Sequence, residues 1–577
     1  MTLYKISPHA HVIENRLLPS TIQYGIFHQL TGYVIEPRES VRVLLLATRM
    51  GTNVSLGDHD LDNLGDDGAQ LRELIEQRFL IPGGDDPFQS FLDHLVVRPL
   101  QNPALAYRDK SGEMKLVRTS MAERIYSPRM NELPPVVEET FPPGAANVFL
   151  KADGTRTLRE IFTDAGIANT FGDGGWRETI EFLTSPKRQL IKLTAHPEDL
   201  SDPYEPCNTV PRNFYHAAKW SQPATDGTAQ SIVDFHMQGI QDAAWEFDLI
   251  ESTINHAFRF PNEALGGLDY GARFCVSTLK PEVFPLLGHA DRVEVLEVGG
   301  GTGSFARSFI EQARSLKTPG GQPVEIKYQI MDLSPTLIQS QQQKLADVVA
   351  VTYFQQDAIN FNLPNQNFEL IIANEVIADF PVSQVERKRG EDNDSRQLWE
   401  GEGVPDLEKY DLDEPTNAEA FLVNTGVFRF IERAWEHLSP GGVVITSEYG
   451  RVDRFPNQSY HLNHEEFSIH FGHVQKCARK VGFECRLLLL KEFLEVDDQV
   501  LMLDGQEEHI QCLDYVFQKH GASLPYALIS RDKFRQLFQG LVDQICLTGP
   551  SFSPLANGFH YGPRLDDFMV LIMTKPN

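Results

Sequence analysis

The stretch "VEVLEVGGGTGSFARSF", residues 293–309, indicates the fold of the second half of the chain. Its first six residues are an apolar run typical of a buried strand, and its last six are typical of the start of a helix. Between them stand Gly299, Gly301 and Gly303, whose spacing leaves the backbone bare where the strand ends. Backbone N–H groups in such a turn can approach a ligand closely, with the positive end of the helix behind them.

The spacing of these glycines narrows the choice of ligand. The pattern G-x-G-x-G by itself serves nicotinamide cofactors, flavins and S-adenosylmethionine (SAM) alike. The dinucleotide fingerprint G-x-G-x-x-G requires its third glycine at the position of Ser304. The sequence here, Glu297 followed by Gly299, Gly301 and Gly303, resembles the E-x-G-x-G-x-G motif of class I SAM-dependent methyltransferases. The resemblance implies SAM as cofactor, bound by Glu297 and the three glycines.

Strands and helices alternate from residue 290 onward. The helix predicted over 334–345 has Ser334 as a plausible N-cap and Pro335 at its first position, where the missing N–H costs nothing. The segments typical of strands are 293–298, 324–332, 351–358, 368–375, 441–449, 482–490 and 566–575. Seven strands in this alternation predict an α/β fold with a doubly wound, Rossmann-like sheet, whose ligand lies beyond the C-terminal ends of the strands.

Acidic residues follow the second and third predicted strands. Asp332 ends the second strand, where a carboxylate can accept hydrogen bonds from both ribose hydroxyls of SAM. Asp357 and Ala358 follow the third strand, where the methyltransferase resemblance implies contact with the adenine ring. The alternative for Asp357 is a solvated turn residue. The predicted cofactor site consists of Glu297, Gly299, Gly301, Gly303, Asp332, Asp357, Ala358 and Asn374.

Three segments allow a narrower resemblance. They are "YQIMDLSPTLIQSQQQKL" (328–345), "ANEVIADFPV" (373–382) and "SEYG" (447–450). They resemble the MidA-like family of methyltransferases, which includes the mitochondrial complex I assembly factor that acts on protein arginine. The segment "SIHFGHV" (468–474) is similar to a family segment ending in Ala-His-Val. The resemblance covers roughly 290–490 and implies a side-chain nitrogen, such as that of arginine, as the acceptor.

The residues after the fourth strand are the candidates for catalysis. Transfer of a methyl group requires a nucleophile held at about 3 Å and relieved of its proton. Glu375 and Asp379, together with Asn374, could hold a guanidinium through paired hydrogen bonds and would equally suit an amine or amide nitrogen. Ala378-Asp379 stand where the family has Asp-Ala, so the SAM assignment stands while arginine is left open. The alternative for Glu375 is that it orders a loop.

The stretch "SYHLNHEEFSIHFGHV" (459–474) contains two H-x-x-H pairs. Imidazoles are good zinc ligands, but no carboxylate motif such as H-E-x-x-H accompanies these four histidines. Histidines at this spacing are also common as packing residues on helices. We therefore predict no metal site and name His473 as a candidate general base or substrate contact, with His470 as the alternative and a structural role open for both.

The composition argues against a nucleic-acid partner and against a membrane partner. The formal charge of −28, with a pI near 5.1, argues against nucleic-acid binding, which relies on surplus Lys and Arg. An acidic surface would suit a cationic substrate. The six cysteines form no C-x-x-C pair, which favours reduced thiols in a cytosol. Because no signal peptide or long apolar span is recognisable, we predict a soluble, cytoplasmic protein without a membrane partner.

The N-terminal region has a different pattern. "LKADGTRTLREIF" (150–162), followed by "LTSPKRQLIKL" (183–193), resembles the PqqD-type winged-helix modules that hold the leader of a precursor peptide. A similar order ends at Arg78-Phe79-Leu80-Ile81, so two such modules are predicted. The alternative is a pair of ordinary helical domains. A DNA-binding winged helix is disfavoured because neither unit concentrates basic residues.

These patterns predict three regions. Residues 1–205 form an α+β region with two winged-helix modules, 206–230 a linker, and 231–577 the methyltransferase domain. Insertions at 386–420 and 497–565 enlarge that domain. The first is strongly acidic, and we expect it either to cover the substrate site and attract a basic peptide or to be a plain solvated loop.

The sequence leaves three functional hypotheses open. The first is a SAM-dependent methyltransferase that modifies a side-chain nitrogen of a peptide or protein, including a ribosomally made precursor. The second is an O- or N-methyltransferase for small molecules, whose N-terminal half covers the site or forms a homodimer. The third is a SAM-binding assembly factor without catalytic activity.

Overall fold

A computed structural model provides the structure of the protein. It describes residues 2–6, 10–18, 21–28, 34–35, 38, 41, 54–56, 58–83, 96–99, 104–119, 136–164, 173–184, 188, 190–194, 253–288, 292–317, 321, 324–348, 351–364, 366–387, 399–416, 418–461, 464–504, 507–525, 527–548, 550, 552–557, 560 and 565–577. The predicted linker, 206–230, lies outside the described residues.

The described residues form strands, α-helices and short 3₁₀ turns. In chain order, the strands are β1 Thr2–Ile6, β2 Ala10–Leu18, β3 Thr21–His28, β4 Val34–Ile35, β5 Val54–Leu56, β6 Leu80–Pro82, β7 Val96–Pro99, β8 Ala104–Arg108, β9 Met114–Thr119, β10 Val136–Thr140, β11 Ile191–Thr194, β12 Val293–Val298, β13 Ile326–Asp332, β14 Thr352–Gln355, β15 Phe368–Asn374, β16 Ser383–Arg387, β17 Trp399–Glu400, β18 Ala420–Val423, β19 Leu438–Arg451, β20 Gln458–His461, β21 His464–Phe467, β22 Ile469–His470, β23 Glu484–Leu489, β24 Leu501–Leu503, β25 Phe552–Pro554 and β26 Phe568–Thr574. The α-helices are α1 Asp58–Asn63, α2 Asp66–Glu76, α3 Ala145–Lys151, α4 Leu158–Asp164, α5 Asp173–Thr184, α6 Ile254–Ala257, α7 Tyr270–Thr278, α8 Ser304–Ser315, α9 Pro335–Lys344, α10 Val404–Tyr410, α11 Thr425–His437, α12 Phe471–Val481, α13 Leu490–Phe493, α14 Glu507–Lys519 and α15 Arg531–Gln544. Turns of 3₁₀ helix are Glu263–Leu265, Pro285–Gly288, Ile377–Asp379, Leu555–Asn557 and Leu565–Asp567.

The chain forms two compact units, and neither is a single continuous segment. The first comprises 1–225, 505–525 and 535–551, and the second comprises 226–504, 526–534 and 552–577. The segment 497–565, predicted to be an insertion of the methyltransferase domain, is therefore divided between the two units. The chain returns to the first unit after most of the second has been built.

The first unit contains small antiparallel sheets and helices. The sheet orders are β5-β1-β6, β2-β3-β4, β10-β9-β8 and β11-β7. Helices α3, α4 and α5 surround a core that includes Val148, Ile161 and Leu183. These three helices and the β11-β7 strand pair include residues of the second predicted winged-helix module. That these elements form a winged helix remains a prediction.

The returning segment adds to the sheet of the first unit. The Arg108 N–H donates to the carbonyl of Ile545 at 2.7 Å, and the Thr548 N–H donates to the carbonyl of Ala106 at 2.9 Å. The Tyr107 hydroxyl, from the same strand, donates to Glu138 at 2.7 Å. Because this backbone pairing joins distant parts of the sequence, the first unit cannot be cut out as residues 1–205 alone.

The second unit is built on one large mixed sheet. Its continuous path has the order β14-β13-β12-β15-β19-β26-β23, and the two-residue strand β22 pairs with the end of β19 off this path. The pairs from β14 to β19 are parallel, whereas β26 is antiparallel to both neighbours. The sequence predicts seven strands, and the sheet has eight. Each of the seven predicted segments contains one strand of the continuous path, and β22 is the eighth strand.

The apolar residues of the central strands β12, β15, β19 and β26 are mostly buried on both faces, as expected for a mainly parallel sheet covered by helices, whereas those of the edge strands β14 and β23 are partly buried. One face packs against α7 and α8, with Val295, Ile372 and Phe274 in its core. The other packs against α11 and α12, with Ile371 and Phe428 in its core. Because the parallel strands all end at one edge, residues from distant parts of the sequence meet there.

The predicted insertion at 386–420 has structure of its own. Strands β17, β16 and β18 form a small antiparallel sheet, and α10 packs beside it. Trp399 donates from its indole N–H to Glu414 at 2.8 Å. Part of this segment, 388–398, lies outside the described residues, so its role as a cover for the substrate site stays a prediction.

Candidate active site

The glycine loop follows β12 directly. Gly299, Gly301 and Gly303 have φ of 70°, 49° and 85°, in the left-handed region that side chains rarely adopt. A Cβ atom on Gly299 would lie 2.4 Å from Cγ2 of Val376. A Cβ on Gly301 would have no atom within 4 Å. The loop has the bare backbone that the sequence predicts. At Gly299 the missing side chain also lets Val376, just after β15, approach closely.

A cavity of about 380 Å³ opens beside this loop, across the C-terminal ends of β12 to β15 and β19. This volume lies within the usual range for sites that bind small molecules. Of the predicted site residues, those that line it are Glu297, Gly299, Gly301, Asp332, Asp357, Ala358, Asn374, Glu375 and Asp379. Gly303 and His473 are not among the described residues that line it.

Glu297 is a buried carboxyl at the end of β12, with 2% of its surface exposed. Its Oε2 atom has no partner in good hydrogen-bonding geometry within the described part of the chain, although the Tyr328 hydroxyl lies near enough to favour the ionised form. Burial raises the pKa of Glu297 to about 8, with a smaller contribution from the neighbouring Asp332. A buried acceptor that lines the cavity and is not satisfied by the chain is suited to a donor group on a bound ligand.

This burial predicts a pH dependence of stability in the absence of ligand. The folded pKa of Glu297 lies above its unfolded value, so the folded state binds the extra proton and loses stability as pH rises from about 5 to about 8. We expect Glu297→Gln to reduce this loss by a few kcal/mol, measured by urea unfolding at both pH values. The exposed Glu282→Gln should leave it unchanged. An equal loss in Glu297→Gln would show that Glu297 does not cause it.

Asp332 and Gln341 connect the second strand to the glycine loop. The Asp332 carboxylate accepts hydrogen bonds from the Ser334 N–H at 2.9 Å and from Gln341 Nε2 at 2.8 Å. The same Nε2 atom donates to the carbonyl of Gly301 at 2.9 Å. Ser334 also caps α9, as predicted from the sequence. Gln341 therefore holds the predicted ribose-binding carboxylate and the loop in one fixed arrangement, a role that the sequence did not reveal.

Three consecutive glutamines on α9 test this role. Gln341 is buried, whereas Gln342 and Gln343 are exposed. We expect Gln341→Ala to weaken SAM binding about tenfold, because two hydrogen bonds that order the site are lost. Gln342→Ala and Gln343→Ala should bind SAM as the unsubstituted protein does, measured by isothermal titration calorimetry. Equal affinity in all three variants would contradict the proposed link.

Asp357 and Ala358 lie beyond β14 and both line the cavity. Asp357 accepts hydrogen bonds from the Ile359 N–H at 3.0 Å and from Asn360 Nδ2 at 3.2 Å. Asp357 therefore orders its own turn, as in the alternative interpretation, while it also faces the cavity. The predicted adenine contact remains a prediction for both residues.

Asn374 ends β15, and Glu375 follows it. Asn374 Oδ1 accepts hydrogen bonds from the Tyr270 hydroxyl at 2.6 Å and the Ser447 hydroxyl at 2.5 Å. The Glu375 carboxylate accepts hydrogen bonds from the Ile254 N–H at 2.9 Å and, more weakly, from the Asn255 N–H at 3.4 Å. The side chains of both residues thus line the cavity and fasten the helices that precede β12.

Further carboxyl groups lie beside Glu375. Glu448, near the end of β19, accepts from the Tyr449 N–H at 2.9 Å and from the Ala378 N–H at 3.2 Å, and is 4% exposed. Asp379, from the 3₁₀ turn after β15, and Glu466, from β21, line the same cavity. Burial raises the pKa of Glu375 to about 7 and that of Glu448 well above its ordinary value. Sequence reasoning did not name Glu448 or Glu466 as site residues.

Aromatic side chains complete this side of the cavity. Tyr449 and Phe568 pair across β19 and β26, with ring centroids 5.8 Å apart in an edge-to-face arrangement. Phe467, next to Glu466, also lines the cavity. Tyr449 is 48% exposed, which is high for a large ring. Aromatic faces beside carboxylates form an environment that favours cations.

The structure places His473 away from the cavity lining, in a buried position on α12. Its Nε2 atom lies 3.0 Å from the carbonyl of Asp413, and its ring stacks on His470 at 3.8 Å. Phe455 packs against both rings. Burial lowers the pKa of His473 to about 3, so the imidazole is neutral and fixed by packing. His470 caps α12 by accepting the His473 N–H, which accounts for this H-x-x-H pair structurally.

The described residues fit SAM in two respects. The cavity contains the unsatisfied Glu297 carboxyl, and its wall includes a glycine whose replacement by any side chain would meet Val376. Glu297, Gly299, Gly301 and Asp332 are the residues that would hold the cofactor. Within the described part of the chain, no group of three or more His, Cys, Asp and Glu side chains is arranged to hold a metal ion.

Comparison with known families agrees with this geometry. Residues 276–453 match the model of the family described as "Putative S-adenosyl-L-methionine-dependent methyltransferase". The match includes β12 to β15, the glycine loop and the carboxyl groups through Glu448. This region is a SAM-dependent methyltransferase domain. The protein is therefore an enzyme of this class, and its cofactor is SAM.

Solved structures with some likeness are distant. A protein from Burkholderia thailandensis is 14% identical, with 61% of this chain and 94% of that chain covered, at a TM-score of 0.32. A Burkholderia thailandensis structure bound to S-adenosylhomocysteine has the same identity and coverage at a TM-score of 0.31. The N-methyltransferase NodS from Bradyrhizobium japonicum WM9, also with S-adenosylhomocysteine, is 15% identical over 29% of this chain and 59% of that chain, at 0.17. At such TM-scores these likenesses say nothing about the substrate. A search of curated proteins finds no match.

Among the described residues, no helix is both long enough and apolar enough to cross a bilayer.

Proposed function

We propose that the enzyme methylates a nitrogen that reaches the site as a cation, on a side chain of a peptide or protein. This proposal rests on a group of carboxyl side chains that line the cavity beyond β15 and β19. They are Glu375, Asp379, Glu448 and Glu466. Glu375 directly follows β15, Asp379 lies in the turn after it, and Glu448 and Glu466 come from β19 and β21. A site for a neutral acceptor would not need this concentration of negative charge.

Electrostatics explains why a cation fits here. Ionised carboxylates are unfavourable in a buried site, because burial removes their hydration and each neighbouring carboxylate adds a smaller repulsion. The raised pKa values of Glu375 and Glu448 are the consequence. A guanidinium or ammonium group would offset the repulsion, and the rings of Tyr449 and Phe467 would add cation–π attraction. A planar guanidinium would also match carboxylate oxygens in pairs.

The roles of the residues follow from this arrangement. Bound SAM supplies a methyl group that is already activated. Asp379 and Glu466 orient the acceptor nitrogen, and Glu448 takes the proton that this nitrogen must lose. Glu448 is suited to the role because its raised pKa makes it a stronger base than an exposed carboxylate.

The finer assignments rest on resemblance. The segments at 328–345, 373–382 and 447–450 support a MidA-like enzyme and hence protein arginine as acceptor. Asp379 stands one position away from the family's aspartate, and Glu448 replaces another aspartate. The pattern of the first unit supports a precursor peptide as substrate, because its second half resembles leader-binding modules.

Intact-mass analysis tests the proposal. The full chain is incubated with SAM and with peptides that differ at one position, which holds arginine, lysine or glutamine. We expect a mass increase of one or more methyl groups in a cationic peptide and none in the glutamine peptide. Methylation confined to neutral hydroxyl compounds would contradict a cationic acceptor. Methylation of free guanidino or amino compounds, but not of peptides, would assign a small-molecule enzyme instead.

The role of the first unit is better tested by shortening the substrate than by shortening the enzyme. Deleting residues 1–205 would leave the returning segments 505–525 and 535–551 without the sheet they complete. A precursor peptide with and without its leader should differ in KM while kcat is similar, because the leader would contribute binding alone. Equal KM for both peptides would argue against leader recognition.

A further inference from the structure

The carboxylate of Glu375 accepts hydrogen bonds from a part of the chain about 120 positions earlier. Its Oε2 accepts the N–H of Ile254 at 2.9 Å, and its Oε1 faces the N–H of Asn255 at 3.4 Å. These N–H groups begin α6, where no partner exists within the helix. The third N–H at this helix start, that of His256, donates to the Thr253 hydroxyl at 3.0 Å. Glu375 and Thr253 together satisfy the beginning of the helix.

The segment held in this way forms part of the cavity wall. Thr253 and Asn255 line the cavity together with the glycine loop. Ile254 is 1% exposed and belongs to the core that packs on α7 and α8. Without Glu375, the Ile254 N–H would be buried without a partner, so the segment would have to move to reach water.

The backbone at Glu375 is unusual and is consistent with this role. Glu375 has a φ of 49°, in the left-handed region that residues other than glycine rarely occupy. Its N–H donates to the carbonyl of Ser447 at 2.9 Å, which ties this conformation to β19. The preceding residue, Asn374, accepts a hydrogen bond from Tyr270 at the start of α7. Two consecutive residues at one strand end therefore fasten both α6 and α7.

We infer that Glu375 is a positioning residue of the SAM site, whose carboxylate holds the turn formed by residues 253–257, the N-cap and helix α6, against the cofactor cavity. Asn374 is its partner in this task through Tyr270. This assignment differs from the prediction of Glu375 as a group that acts on the acceptor. It concerns the cofactor half of the site and does not depend on the proposed acceptor.

Binding measurements with SAM alone test the inference. Glu375→Gln and Glu375→Ala are titrated with SAM and with S-adenosylhomocysteine by calorimetry. The matched control is Glu448→Gln, which neutralises the other buried carboxyl of the cavity and makes no bond to α6. We expect both Glu375 variants to bind both ligands at least about tenfold more weakly, because a charge-assisted hydrogen bond to a buried N–H is lost. Glu448→Gln should bind them as the unsubstituted protein does.

Hydrogen exchange locates the effect. The amides of residues 254–258 should exchange faster in both Glu375 variants and remain protected in Glu448→Gln. The conservative Glu375→Gln serves as the informative variant if Glu375→Ala does not fold. Equal weakening of SAM binding in Glu448→Gln would show that negative charge in the cavity, rather than the turn, is responsible. Unchanged exchange at 254–258, or unchanged affinity in Glu375→Gln, would also overturn the inference.

A pH titration separates positioning from a general loss of stability. The groups that face Glu375 are Asn374 on its own strand end, Tyr270 on α7, Glu448 on β19 and Glu466 on β21. Protonation of Glu375 removes the negative charge that strengthens the bonds to α6, so SAM affinity should fall as pH is lowered through about 7. Glu375→Gln should lack this component of the pH dependence while Glu448→Gln keeps it. The same dependence in Glu375→Gln would contradict the inference.

Discussion

Gly299→Ala is expected to weaken SAM binding by about a hundredfold or more. Two costs combine at this position. The backbone has a φ of 70°, which alanine adopts only at a cost of roughly 1–2 kcal/mol. The new Cβ would also lie 2.4 Å from Cγ2 of Val376, so either the loop or the end of β15 must shift. Calorimetric titration with SAM measures the loss.

Gly301→Ala is the matched control for this prediction. Its φ of 49° carries a similar conformational cost, but its Cβ would meet no atom within 4 Å. We expect about a tenfold weakening from the backbone cost alone. Equal losses at Gly299 and Gly301 would show that conformation, rather than contact with Val376, controls the loop. Thermal unfolding of both variants establishes whether the loss is confined to the site.

Glu448→Gln is expected to lower kcat by roughly 10²–10⁴-fold while SAM binds normally, because the acceptor nitrogen would have no group to take its proton. The substitution preserves shape and removes one negative charge. Single-turnover formation of S-adenosylhomocysteine measures the chemical step, with the cationic peptide that gains mass on incubation with SAM as acceptor. The same assay shows whether the protein turns SAM over at all, as a non-catalytic assembly factor would not.

The pH profile makes this prediction specific. A carboxyl group acts as a base only when ionised, so kcat should rise with pH and level off above the pKa of Glu448, which burial raises well above its ordinary value. Glu375, Asp379 and Glu466 face Glu448 and raise its pKa further. In Glu448→Gln the rise should disappear. A variant that loses SAM binding and stability together, with its pH profile unchanged, would indicate a structural role for Glu448.

The local patterns of the sequence predicted most of the large sheet. Each predicted strand segment contains a strand, because a strand in a sheet covered by helices carries a run of apolar residues that is unfavourable in water. The predicted cap Ser334 depends on a contact within three residues, and the positive φ angles of the glycine loop depend on the residue type. Such features are determined locally, which is why they can be predicted from a short stretch of chain.

The structure differs from the sequence-based predictions where the same residue pattern occurs both at cavities and in packed cores. Two histidines three positions apart on a helix face the same side, but whether that side meets a cavity or a core is set by what packs on it. Here Phe455 and the carbonyl of Asp413 surround His473. The segment 497–565 likewise looked like a single insertion, because nothing local shows that part of it pairs with Ala106 and Arg108.

The order of apolar runs and glycines was enough to predict the class of fold, the glycine loop and nine of the residues that line the cavity. The reason is that parallel strands in βα alternation end at one edge and bring their following residues together. What each carboxyl group does there depends on the packing of the whole chain. Glu375 is bonded to a helix about 120 positions earlier, while Glu448 lies on a neighbouring strand facing Asp379. Hydrogen-bond partners and burial depend on which distant segments pack together, and these set the roles and pKa values of identical side chains.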